Sequence, residues 1–355
     1  MFRAVLLTLL FVSAQVNAES YTQHHGVILQ YHHISTSTPA VTSISPEGFK
    51  QHLDLLDELK ITVVSLDHLI KNIQNGIGFR QPVAAITFDD GYESIYLNAF
   101  PELRRRNLPF TVFINPLAID QKRSDQMTWE QLKEMTKHGA IIANHTQYHN
   151  HLLARLENET DTQWRNRTQQ DIHEAQGRLE EEIEGAPKWL AYPYGEFDHK
   201  LQSLLIEMGF LGFSQQSGGI NKSTDWQAIP RFPASGIYSN PKTLAVKLTS
   251  RPFNVIRSNP KPILRMQQDT APTLTLTIDP KDVGIHGIQC YYNGTPIDTE
   301  VSNVSEGVII QTKINGALPL GRSRYNCTAP SNKSGQYFWY SMPFITTNSN
   351  GDWVD

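Results

Sequence analysis

The sequence predicts a (β/α) barrel of seven or eight parallel strands followed by a small antiparallel β-sandwich. Three observations carry that expectation. Short apolar runs recur between Gly26 and Phe232, and segments of helical period separate them. Beyond Pro260-Lys261-Pro262 the helical segments stop, and polar and apolar residues alternate at period two.

The first run, Val27-Ile28-Leu29, precedes a helix expected over Pro46 to Leu59, where Phe49, Leu53, Leu56 and Leu59 share one face. Ile61 to Leu66, Val83 to Phe88, Phe110 to Ile114 and Ala140 to Ala143 follow as strands. A second helix is expected over Gln169 to Ile183, with Ile172, Ala175, Leu179 and Ile183 in register. Trp189 to Tyr192, Leu211 to Phe213 and Ala228 to Phe232 complete the series. Strands without polar alternation are buried on both faces, which implies a parallel sheet covered by helices. In the last part, Thr273 to Ile278 alternates cleanly, and similar strands are expected at Ile288 to Tyr292, Val308 to Ile314 and Gln336 to Phe344. Tyr291, Tyr337, Phe338, Trp339, Tyr340 and Trp353 fall here. Most should fill the small interior rather than form a sugar-stacking face.

Composition narrows the function. Among 355 residues, Lys and Arg number 31 against 35 Asp and Glu, a net charge of −4 that offers no general field for nucleic acid. Charged residues at 19% and hydrophobic ones at 39% describe a folded chain. Two cysteines cannot complete a four-thiolate zinc site, so any metal must be held by imidazole and carboxylate. Arg3, the apolar run Ala4 to Val12 and the small residue Ala18 predict a secretory signal over residues 1–18. That run is too short to span a bilayer, and no other approaches the necessary length, so the protein is expected to be exported, periplasmic or secreted, without a transmembrane segment. An oxidising compartment favours a Cys290–Cys327 disulfide. The expected division is a signal over 1–18, a barrel over 19–265 and a sandwich over 266–355.

Two strand ends carry the chemistry. Val83 to Phe88 runs into Asp89-Asp90-Gly91-Tyr92. Adjacent carboxylates repel unless a positive group sits between them, and a metal on one would leave the other free as a base. Ala140 to Ala143 runs into Asn144-His145-Thr146-Gln147-Tyr148-His149. One helical turn would place His145 and His149 on the same side. One Asp and two His make a three-ligand set with open positions.

These segments resemble the first two motifs of the polysaccharide deacetylases with the NodB-homology domain, carbohydrate esterase family four. The resemblance covers about Gly26 to Arg231 and implies a distorted (β/α) barrel, with Asp89 as catalytic base and Asp90, His145 and His149 as ligands of one divalent ion, usually zinc. Tyr192-Pro193-Tyr194-Gly195 resembles the third motif, which implies the Tyr194 N–H as oxyanion donor. Tyr192 stands where the family has an arginine that steadies the catalytic Asp; Arg231 is the candidate for that charge. Asp225-Trp226 resembles the end of the fourth motif, with Lys222 in place of its first acid. The late histidine that supplies the general acid is missing, and Leu29-Gln-Tyr-His32-His33-Ile34 resembles the branch, including biofilm poly-N-acetylglucosamine deacetylases, that carries it on the first strand. Alternation sends only one of His32 and His33 into the barrel mouth, and the resemblance to the branch pattern Tyr-His-x-Ile implies that it is His32. The implied activity is removal of N-acetyl groups from amino sugars of a polysaccharide. The alternatives are O-deacetylation at the same site and a carbohydrate-binding barrel without catalysis.

Overall fold

Parallel strands β1 (His25–Tyr31), β2 (Val83–Phe88), β3 (Phe110–Ile114), β4 (Ala140–Asn144), β5 (Trp189–Ala191) and β6 (Leu211–Phe213) lie side by side in chain order. They form the core of the computed structural model, which describes residues 22–333, 335–348, 351 and 353. The sheet curls until its ends meet. Ile229 bridges Phe213 of β6 in parallel, and β7 (Phe232–Pro233) pairs in parallel with Leu29 and Gln30 of β1. The segment from Ile229 to Pro233 therefore closes a ring of seven. Gly219–Asn221 adds an antiparallel strand beside β1, and Thr62–Val63 a short parallel one beside β2. The expected signal segment lies outside the described residues. No helix among those described is long and apolar enough to cross a membrane.

Helix α1 (Pro46–Glu58) starts where expected, because Ser45 accepts from the Gly48 N–H and Pro46 needs no donor in the first turn. It buries Phe49, Leu53 and Leu56 against the sheet. Helix α2 (Leu66–Gln74) is capped by Ser65 and buries Leu66, Leu69, Ile70 and Ile73. Helix α3 (Asp161–Glu182) starts eight residues before the expected Gln169. Thr160 and Gln163 form a reciprocal capping box there, while the added turns bury only Trp164 and Thr168, too few to create an apolar stripe. Helix α4 (His199–Met208) covers β5 and β6, and α5 (Pro241–Leu248) ends the barrel.

Alternation along the strands assigns the two faces. Leu29, Tyr31, Ile86, Phe88, Val112 and Ile114 share one core with α1. Ile28, Ala85, Phe113, Ala143, Phe213 and Ile229 belong to the other, inside the ring. Thr87 shares the inward parity of Ala85, and Gln30 that of Ile28.

The C-terminal part is a sandwich of two sheets. One runs β8 (Val255–Asn259), β9 (Leu274–Ile278), β12 (Gly307–Thr312), β11 (Thr299–Val304); the other is built on β10 (Gln289–Tyr292), β13 (Gly321–Pro330) and β14 (Tyr337–Thr347). Leu274, Leu276 and Ile310 from the first meet Tyr325, Phe338 and Phe344 from the second in one core. Cys290 and Cys327 face each other on β10 and β13 and form the expected disulfide. As expected, Phe338 is core; Trp339 turns the other way and packs edge-on against Phe232 of the barrel. Tyr337 is 46% exposed. Barrel and sandwich are joined directly: Arg251–Pro252, just after α5, pairs in parallel with Phe338 and Trp339.

Candidate active site

Asp89 leaves β2 with the inward parity of Thr87 and is completely buried. Arg231, equally buried, donates from Nη1 to Oδ1 at 2.7 Å and from Nη2 to Oδ2 at 2.8 Å, a two-pronged ion pair across 142 residues of chain. Gln30 Nε2 donates to Oδ2 at 2.6 Å. The guanidinium is fixed in turn by Ser214 O at 2.9 Å and lies over the Phe113 ring. Burial by itself would raise the Asp89 carboxyl; the charge and hydrogen bonds of Arg231 together with the neighbouring His145 outweigh it and hold Asp89 below the usual carboxylate range. The structure thus gives Arg231 the contact that Tyr192 cannot make. Tyr192 points away and donates to Gln227 O at 2.6 Å.

Two adjacent strand residues point to opposite faces, so Asp89 and Asp90 should not share one chamber. A backbone reversal overrides the alternation. Asp90 has φ 71° and Gly91 φ 70°, both left-handed. Glycine is required at the second position, because a Cβ there would lie 2.9 Å from Ile114 Cγ2. Asp90 Oδ1 comes 3.1 Å from both His145 Nε2 and His149 Nε2.

The His145–His149 stretch is a loop, and the expected helical turn does not form. Thr146 and His149 have φ 66° and 53°, and each polar side chain nearby takes a backbone group that a helix would need. Asn144 Oδ1 accepts from Thr146 N at 2.7 Å, and Thr146 Oγ1 from His149 N at 3.0 Å. Asn115 Nδ2 donates to His145 O at 2.7 Å, and Asp171 Oδ1 accepts from Gln147 N at 2.7 Å. Burial pushes the Asp171 carboxyl up to about 6. The loop still brings the two imidazoles together, with ring centroids 4.8 Å apart. His145 Nδ1 lies 2.7 Å from Ala191 O; that carbonyl can only accept, so Nδ1 carries a proton and Nε2 is the ring atom that faces Asp90.

One donor atom each from Asp90, His145 and His149 lies within 4.8 Å of the others. Asp90 Oδ1 is buried without a well-directed hydrogen bond although two ring nitrogens adjoin it. An unpaired carboxylate oxygen converging with two imidazole nitrogens fits a divalent cation. Burial opposes the Asp90 charge, and the two imidazoles hold it well below the usual range.

His32 follows β1 with the parity of Gln30, which touches Asp89. His33 is buried and stacks on Tyr92 at 3.6 Å. Tyr194 sits in the turn after β5 with φ 59°, its ring 4.9 Å from that of His149. Asp90, Tyr92, Asn115, Arg123 and His149 line a cleft of about 150 Å³. A larger cavity of about 450 Å³ between barrel and sandwich contains none of the candidate ligands, so size and chemistry part company here. Gln30, Asn115, Asp171 and Glu196 were not anticipated. Of these only Gln30 had a signal, its two-residue spacing from His32.

A parallel barrel with a carboxylate–imidazole cluster at the carboxyl ends of its strands is the architecture of a metal-assisted hydrolase. Residues 77–212, within the barrel, match the family model described as Polysaccharide deacetylase. Poly-beta-1,6-N-acetyl-D-glucosamine N-deacetylase of Staphylococcus epidermidis is 25% identical over 250 residues, spanning 63% of this chain and 85% of that protein. Among solved structures, IcaB from Ammonifex degensii superimposes with a TM-score of 0.55 at 25% identity, over 64% of this chain and 98% of its own. The Streptococcus pyogenes deacetylase PplD, in complex with acetate, shares the fold with a TM-score of 0.57 at 20% identity, over 64% of this chain and 99% of its own.

Proposed function

We propose that the protein is a metal-dependent hydrolase removing N-acetyl groups from amino sugars of an exported polysaccharide. The relatives named for poly-β-1,6-N-acetylglucosamine make that polymer the first substrate to test. The observation that carries this reading is the buried Asp89–Arg231 pair beside the Asp90, His145 and His149 cluster.

Asp90, His145 and His149 would hold the ion, and the two-imidazole, one-carboxylate set suits zinc. When bound, such an ion supplies Lewis acidity toward the acetamide carbonyl and lowers the pKa of water. Asp89 acts as the general base. A carboxylate offers about four acceptor positions. Arg231 and Gln30 occupy three of those on Asp89, which leaves one for the proton of the attacking water. Arg231 keeps that base ionised and fixes its plane, so it is a positioning residue. The Tyr194 N–H donates to the oxyanion that develops as the carbonyl carbon becomes tetrahedral. His32 protonates the departing amine, a poor leaving group that requires an acid.

The test is acetate release from β-1,6-linked N-acetylglucosamine oligomers, with and without chelator and with zinc restored. Chelator-sensitive release supports the reading. Release from O-acetylated glycans alone would turn it into an esterase, and no release from any acetylated glycan would leave only carbohydrate binding.

A further inference from the structure

The turn that carries Tyr194 is not held by the barrel alone. Tyr194 has φ 59° and ψ 2°, and Gly195 follows at φ 73°. A bulky residue in the left-handed region persists only when its surroundings over-determine it. Those surroundings come from two places. From the barrel, His151 stacks on the Tyr194 ring at 4.0 Å and 14°. From the sandwich, the Arg322 guanidinium lies 5.5 Å from the same ring. Arg322 Nη1 also donates to Glu196 Oε1 at 3.0 Å, while Glu196 Oε2 lies 2.7 Å from His151 Nδ1. Glu196, two residues past Tyr194, is 1% exposed. A buried carboxylate needs its cations, so Arg322 anchors both the ring and the end of the turn. Trp353, also from the C-terminal part, stacks on the other partner, His151, at 4.8 Å.

We propose that Arg322 is a positioning residue for the reaction: the sandwich clamps the Tyr194 turn through it, and so belongs to the active site rather than serving as an appended module. This rests on the deacetylase reading, in which the Tyr194 N–H meets the oxyanion. Arg322 is 48% exposed but Glu196 only 2%, so losing Arg322 should cost some stability, limited by water on the arginine side and by the His151 that stays beside Glu196. Its effect is on the aim of one peptide group, which matters more in the transition state than in the substrate complex.

The experiment compares full-length Arg322→Ala and Arg322→Lys with the wild type. Arg322→Ala should lower kcat about tenfold or more, with KM within about twofold, a modestly lower thermal midpoint and unchanged zinc affinity. Hydrogen exchange at the amides of residues 194–196 should quicken in the same variant. Arg322→Lys keeps the charge on Glu196 and should recover part of kcat. Wild-type kcat with wild-type exchange in Arg322→Ala overturns the proposal, as does a loss confined to KM or to zinc affinity. A wild-type protein that releases no acetate overturns the deacetylase reading instead, and exchange still decides whether Arg322 holds the turn.

Discussion

Arg231 and Asp89 meet through two parallel hydrogen bonds of 2.7 and 2.8 Å with neither side chain exposed. Such a pair is costly to break from one side only. Arg231→Ala should destabilise the protein by about 3–5 kcal/mol, because an uncompensated carboxylate stays buried. Activity should fall with it. Asp89→Asn, which keeps the shape, should abolish turnover while retaining zinc. Urea unfolding and acetate release check both; near-full activity of Asp89→Asn would remove Asp89 from the role of base.

His149→Ala deletes one of three candidate ligands and should weaken zinc binding by roughly 100-fold or more while leaving the circular dichroism of the barrel intact. In the wild type, zinc at about 100 times its dissociation constant should stabilise by about 2.7 kcal/mol, and chelator should reverse the gain. Calorimetric titration and thermal melts read both. Equal zinc affinity in wild type and variant would sink the ligand set.

His32→Ala should lower kcat while zinc affinity stays put, since His32 shares the inward parity of Gln30, which touches Asp89, and is not among the candidate ligands. His33→Ala removes a ring stacked on Tyr92 and should show mainly as lost stability, about 1–2 kcal/mol. If the larger kcat loss follows His33→Ala, the acid is assigned to the wrong neighbour.

Lys247, at the barrel–sandwich junction, is pushed down to about 8 by burial and by the nearby Arg324. The folded protein therefore favours its neutral form. The penalty for the charge is fully present below about 8 and vanishes as pH rises past the unfolded value of 10.5. Lys247→Met should raise stability at pH 7 by about 2 kcal/mol, discounted for the lost contact with the Tyr238 ring, and the gain should shrink between those two pH values. Thermal melts at pH 7 and pH 10 give the comparison. A gain that is independent of pH would show packing, not charge, to be the cause.

The barrel was legible because each strand is a continuous apolar run and each helix face is periodic. The metal cluster was legible because Asp90, His145 and His149 directly follow two such strands. Their local shape was not. A His-x-x-x-His spacing predicts a helical turn, but Asn144, Thr146, Asn115 and Asp171 capture its backbone groups, and the last two come from distant elements. Gln30 was overlooked because its one signal, the two-residue spacing from His32, marks a strand face and names no chemistry until Asp89 is placed against it.

The sequence by itself determined which residues end buried parallel strands, where the helical pattern gives way to sandwich strands, and which donor types are at hand for a metal. Only the tertiary structure decided which cation replaces the missing arginine, how two neighbouring carboxylates enter one chamber, and that Arg322 reaches the Tyr194 turn from the sandwich. The reason is range. Periodicity and strand ends record local choices of backbone and burial, whereas a buried charge can be matched by a partner anywhere in the chain, and only the closing of the barrel and the docking of the sandwich select which one.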